Sequence, residues 1–168
     1  IGKIVHILLV TDFCVSFKLK IIFTRFSFDC LCLNLIFQVE TPSQVIIHQY
    51  DSYQLSQNIA SPPRLWTYDA CKYANSQFRP LMKETIGQLM FTNQHVVFAP
   101  ACYDHGLVQS QSFYDIKING MSAWDQLEIF INSQGADREH LVSNCEQVNC
   151  QETCKEIETG PNTFCQVV

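Results

Sequence analysis

Two side chains in this sequence have the type and spacing that acid–base chemistry needs. Asp51 ends the run Val45-Ile46-Ile47-His48-Gln49-Tyr50, and His105 follows His95-Val96-Val97-Phe98-Ala99 through Pro100-Ala101-Cys102-Tyr103-Asp104. An unperturbed imidazole takes up and returns a proton near neutrality, which suits a general base. A carboxylate beside it would orient the ring and stabilise the imidazolium. Both residues also have plainer explanations, because Asp after a strand is commonly a turn residue and a lone histidine at a strand end is commonly only hydrogen-bonded. Pro100, Cys102 and Gly106 favour a shaped loop over a core position for His105. Asp69, Asp104 and Asp115 compete with Asp51. Asp104 adjoins the histidine, and adjacent side chains seldom point at one another, so Asp51 ranks first.

Cysteine chemistry is the second possibility. From Val39 onward there are six: Cys71, Cys102, Cys145, Cys150, Cys154 and Cys165. Thiolates at the short gaps of 145–154, with His140 nearby, could be read as a zinc site. No C-x-x-C occurs, however, and Cys71 and Cys102 would be left without a role. An even number of cysteines in an acidic, polar surrounding fits a secreted disulfide framework better. Its connectivity is open at this level, and no metal or other cofactor is expected. Each bridge would contribute roughly 2–4 kcal/mol.

These residues need elements to hold them. Val45–Tyr50 reads as a β-branched strand entering an Asp51-Ser52 turn, and His95–Ala99 as a buried strand closed by Pro100. Between Pro80 and Thr92, Leu81, Met82, Ile86, Leu89 and Met90 recur at helical spacing. Ser61-Pro62-Pro63 marks a loop and Asn119-Gly120 a turn. Ser122 can cap a helix whose apolar side is Trp124, Leu127, Ile129 and Phe130. The order is strand, acidic turn, helix, strand, histidine loop, helix. In an open parallel α/β sheet that order puts Asp51 and His105 on the carboxyl rim, where ligands bind.

Composition bounds the alternatives. A net charge of −5 argues against a nucleic-acid partner, which needs clustered Lys and Arg. No run of 18 apolar residues occurs, so no membrane-spanning helix is expected. Residues 1–38 differ from the rest: 24 of them are Val, Ile, Leu, Phe or Cys, and scattered charges break every period. Phe, Leu, Ile and Val share a middle T in their codons, and Phe37-Gln38 can be encoded by TTTCAG, the form of an intron acceptor end. The segment is therefore expected to be translated intron, with a real pair of buried strands as the competing reading. Residues 39–168 are expected to be the C-terminal portion of a hydrolase domain.

That last expectation rests on a resemblance. Tyr50-Asp51-Ser52-Tyr53-Gln54-Leu55, Trp66 with Cys71-Lys72, and Phe98-Ala99-Pro100-Ala101-Cys102-Tyr103-Asp104-His105 together resemble the pectin acetylesterase and Notum family of carboxylesterases. His140-Leu141-Val142-Ser143-Asn144-Cys145, with Cys150 and Cys154 beyond it, is similar to the end of Notum, while the Tyr-Asp-Ser stretch is closer to the plant enzymes. The likeness runs in order over about residues 44–155. It implies a secreted α/β-hydrolase-type enzyme with a Ser-Asp-His triad, the acid falling on Asp51 and the histidine on His105. The substrate would be acylated: an acetyl ester of a polysaccharide or an acylated protein.

The departure from the family is the nucleophile. A Gly-x-Ser-x-Gly elbow belongs upstream of the acid, and the sequence contains none. Ser56, Ser61, Ser110 and Ser112 have no elbow context, and the oxyanion-hole glycines are missing too. The expectation is a fragment with two of three catalytic groups and no activity alone. The alternatives are a non-enzymatic relative that binds a glycan or acylated partner, and a secreted disulfide-rich binding module that folds independently.

Overall fold

The computed structural model describes residues 6–8, 42–59, 68–92 and 95–154. Four parallel strands form the main sheet: β1 (His6–Leu8), β2 (Ser43–Ile46), β4 (His95–Ala99) and β8 (Leu141–Val142), side by side in the order β1-β2-β4-β8. Beyond β1, the apolar first segment lies outside the described residues, as do the Ser61-Pro62-Pro63 loop, Trp66 and Cys165.

The sheet is covered on both faces, so its central strands β2 and β4 are buried at every position. Side chains alternate along a strand. Val45 and Val97 face one layer, together with Ile47 and Ala99, while Ile46 and Phe98 face the other. The first layer is α2 (Tyr68–Tyr73) and α3 (Arg79–Phe91), joined by a π-helical turn over Ala74–Phe78. It packs Ala74, Phe78, Met82, Ile86 and Leu89 on the sheet. The expected helix is present, but Leu81 points to solvent. Its neighbour Met82 takes the inward position, in step with Ile86 and Leu89.

The second layer is α4 (Ala123–Asn132), which contributes Ala123 and Leu127. It begins at a capping box: the Ser122 hydroxyl accepts the Asp125 backbone N–H, and the Asp125 carboxylate accepts the Ser122 N–H. A hairpin of β6 (Lys117–Ile118) and β7 (Met121–Ser122) leads into it, with Asn119 and Gly120 both at positive φ, as a tight two-residue turn requires. Trp124 and Ile129, expected inside, are about two-fifths exposed. Gln126 takes their place on the buried face, because the strands need its amide. Its Nε2 donates to the Val97 and Glu139 carbonyls, while its Oε1 accepts from Gln44.

The strand expected over Val45–Tyr50 is interrupted. β2 stops at Ile46 and a two-residue strand, β3 (Tyr50–Asp51), resumes beside β5 (Tyr103–Asp104). Proline causes the break. Ile47 N–H still donates to the Phe98 carbonyl and Gln49 N–H to the Pro100 carbonyl, but the return bond to Ile47 would need an N–H at position 100, which proline lacks. The register also slips there. Ile46 lies opposite Phe98, whereas Tyr50 lies opposite Tyr103, so the histidine strand carries one extra residue. A bulge of this kind re-aims the side chains beyond it.

Candidate acid–histidine site

Beyond the bulge, Asp51 and Asp104 lie opposite each other in the small parallel ladder. Asp51 is buried, and its two carboxylate oxygens have separate tasks. Oδ1 accepts the backbone N–H of Gln54 at 2.9 Å, which caps α1 (Ser52–Ile59). Oδ2 lies 2.8 Å from Nδ1 of His105. The turn residue expected from the sequence is thus a helix cap at a strand end. Capping fixes the carboxylate plane, and the helix N-terminus favours negative charge there.

His105 sits where β5 ends and is followed by Gly106 at φ 74°, a left-handed turn that favours glycine. The chain then enters a single 3₁₀ turn at Leu107–Gln109. The His105 side chain is 27% exposed and that of Asp51 only 2%, so the acid is shielded while the ring reaches the surface. The Tyr53 ring stacks obliquely on the imidazole, 5.4 Å between centroids. With Nδ1 committed to the carboxylate, proton transfer would run through Nε2.

The competing carboxylates face elsewhere. Asp104 Oδ1 accepts the His105 backbone N–H and Oδ2 accepts the Ser112 hydroxyl, two bonds that hold the loop. Asp115 accepts from the Gln111 side chain, and Asp69 lies in the first turn of α2. Three candidate serines have local partners: Ser56 donates to the Tyr53 carbonyl, Ser110 to that of Leu107, and Ser112 to Asp104.

His48 is a participant that the sequence reading placed only as a strand residue. It is fully buried, close enough to the pair to feel the charges of Asp51 and His105, and neither ring nitrogen makes a hydrogen bond of good geometry. Burial lowers its pKa to about 4 and His105 adds to the lowering, against the Asp104 and Asp51 carboxylates and the Cys102 backbone, which favour the cation. It is therefore a neutral imidazole at physiological pH. Tyr50, between His48 and the acid in sequence, is fully buried too. Its hydroxyl is shared between Asn75 Oδ1 and the Glu146 carbonyl, and burial pushes its pKa up to about 12.

The cysteines form bridges. Cys102 pairs with Cys154 and Cys145 with Cys150, and Cys71 is also disulfide-bonded. The zinc alternative loses its thiolates to these bonds, and Nδ1 of His140 accepts the Val97 backbone N–H. Among the described residues, no group of three or more His, Cys, Asp or Glu side chains comes together as metal ligands. Nor, among them, is any helix long and apolar enough to cross a membrane.

Parallel strands covered on both faces, with an acid–histidine pair on the carboxyl rim, define an α/β-hydrolase-type arrangement. Comparison with solved structures agrees with that class. Two crystal forms of the Wnt deacylase Notum from Drosophila superpose with a TM-score of 0.61 at 22% identity, over 74% and 73% of this chain. The chain spans 35% and 33% of the length of those two structures. No family model matches the sequence, and no curated protein does.

Proposed function

We propose that this chain carries the acid and the histidine of a serine carboxylesterase, Asp51 and His105, and that the nucleophile lies on a part of the protein outside this sequence. The observation that carries the reading is the 2.8 Å contact between the Asp51 carboxylate and the His105 imidazole on the carboxyl rim of a parallel sheet. In the reaction, His105 takes the proton of the serine as it attacks the ester carbonyl. Asp51 holds the ring in the Nδ1–H tautomer and stabilises the imidazolium. The same imidazole then activates the water that releases the acyl group. The substrate is an acyl ester, either an acetylated polysaccharide or an acylated protein. The neighbouring fold of a Wnt deacylase supports the second, and the plant-like Tyr50-Asp51-Ser52 stretch supports the first. The disulfides suit secretion into an oxidising compartment.

Residues 1–38, of which His6–Leu8 pairs with β2 at the edge of the sheet, stand apart in composition from the hydrolase portion 39–168, and the chain alone is inactive. Hydrolysis of a p-nitrophenyl ester by this chain, lost on His105→Ala, would overturn the incomplete-triad reading. The genomic sequence upstream of Val39 is expected to hold an in-frame exon with a Gly-x-Ser-x-Gly elbow. The longer product should cleave the ester, and a full-length transcript without the elbow would favour a non-enzymatic binding protein.

A further inference from the structure

The segment that delivers His105 is held from two sides. On one side Tyr103 and Asp104 pair with Tyr50 and Asp51. On the other, no strand among the described residues pairs with it. The cysteine-rich stretch lies there instead, and a single residue, Asn149, meets the backbone at two points. Its N–H donates to the Ala101 carbonyl at 3.0 Å, and its side-chain Oδ1 accepts the Tyr103 N–H at 3.0 Å.

In a parallel ladder, a residue opposite position 102 would give its N–H to the carbonyl of 101 and its own carbonyl to the N–H of 103. Asn149 supplies both bonds, with the side-chain amide oxygen standing in for the main-chain carbonyl. The substitution is needed because Asn149 has φ 58°, which turns its own chain away from the ladder. Asparagine tolerates that left-handed conformation and carries a carbonyl of the right reach. Gln151 adds a weaker contact, its Oε1 accepting the Ala101 N–H at 3.3 Å. The Cys102–Cys154 bridge ties the same stretch down.

We infer that Asn149 is a positioning residue for His105: by acting as a one-residue strand beside 101–103, it holds the backbone in the register at which the imidazole meets Asp51. The inference rests on the acid–histidine reading above. It gives the cysteine-rich stretch a role in the chemistry beyond cross-linking the fold.

The test is the ring-nitrogen NMR spectrum of the chain labelled with ¹⁵N-histidine, His105 being assigned by its loss in His105→Asn. The wild type is expected to show His105 as the Nδ1–H tautomer with a downfield Nδ1 proton. Asn149→Gly keeps the left-handed backbone and the N–H but removes the acceptor. In that variant His105 should lose the downfield proton and show the mixed tautomers of a solvated ring, while His95 and His140 keep their wild-type signals. Asn149→Asp retains an acceptor oxygen and should retain the His105 signature. A folded Asn149→Gly with an unchanged His105 spectrum would overturn the inference and leave the proposed function standing. Should that variant not fold, a folded Asn149→Asp without the signature would overturn it equally. A wild-type chain that lacks the signature would sink the acid–histidine reading, and the inference with it.

Discussion

Two histidine pairs sit at opposite ends of these parallel strands. At the amino ends of β2 and β4, Ser43 and His95 lie opposite each other in register, with Oγ and Nδ1 2.6 Å apart. At the carboxyl end, Asp51 and His105 meet at 2.8 Å. By distance alone the first pair is the tighter, and a serine beside a histidine invites a nucleophilic reading. The surroundings decide otherwise. Ser43 and His95 are both buried within the sheet, at 0% and 1% exposure. Their hydrogen bond satisfies two polar groups that would be costly to leave unpaired there. The second pair combines a shielded carboxylate with a ring that reaches solvent, on the rim where α/β sheets bind ligands. A short contact identifies a pair of groups, and exposure and place on the sheet are what favour the second pair as the proposed site.

The largest expected effect separates the two pairs directly. Asp51→Asn keeps an oxygen to cap α1 but removes the charge and the tautomer control over His105. In the serine-bearing whole protein of the proposal, ester turnover should fall by on the order of 10⁴, the scale seen when a triad aspartate becomes asparagine. Ser43→Ala should leave kcat within about twofold. If both variants lost turnover to the same extent, the two ends would no longer be distinguished by function.

The next effect concerns the bridges near the histidine end. Cys102–Cys154 closes a separation of 52 residues and Cys145–Cys150 one of 5. Loop-closure entropy assigns about 4 kcal/mol to the first and about 2 kcal/mol to the second. Replacing Cys102 and Cys154 together by serine should therefore lower the denaturation midpoint more than replacing Cys145 and Cys150. The reverse order in urea melts would show that the short bridge holds more of the fold than its loop accounts for.

The buried His48 makes the carboxyl end acid-sensitive. Its pKa in the folded chain, about 4, lies below the ordinary 6.5, so the unfolded chain binds more protons between those values. Stability is full above pH 6.5 and falls as pH drops toward 4, by roughly 3 kcal/mol at most. Thermal melts across that range should show the fall, and His48→Gln should flatten it. An equally steep fall in the variant would move the acid sensitivity away from this end of the sheet.

Much of this layout is legible in the sequence where local chemistry decides it. Pro100 ends a strand because it lacks an N–H, Asn119-Gly120 makes a turn, and Ser122 caps a helix. Asp51 and His105 could be paired because each follows a strand that reads as buried. What the sequence conceals is set by tertiary contact. Leu81, Trp124 and Ile129 are apolar at plausible helical positions yet face solvent, and Gln126 is polar yet buried, because only the assembled sheet shows which carbonyls need a donor. The one-residue slip between Ile46–Phe98 and Tyr50–Tyr103 depends on the pairing of distant strands. The bridging role of Asn149 depends on a positive φ that its type permits without announcing.

The smallest effect tests the amino end by itself. Ser43→Ala removes the hydroxyl that meets the buried His95 Nδ1, and losing that hydrogen bond should cost about 1–3 kcal/mol. Ser43→Thr keeps the hydroxyl and should recover most of that loss, because its β-branch suits a strand. In neither variant should the His105 ring-nitrogen signals move, since Ser43 and Asp51 are separated along the strands by the break at Ile47. A Ser43→Ala chain that melts like wild type would mean that the hydrogen bond at the amino end contributes nothing net. A shifted His105 signal in the same chain would mean that the two ends are coupled through the sheet, and the contrast between a structural pair and a reactive one would have to give way to a single polar network.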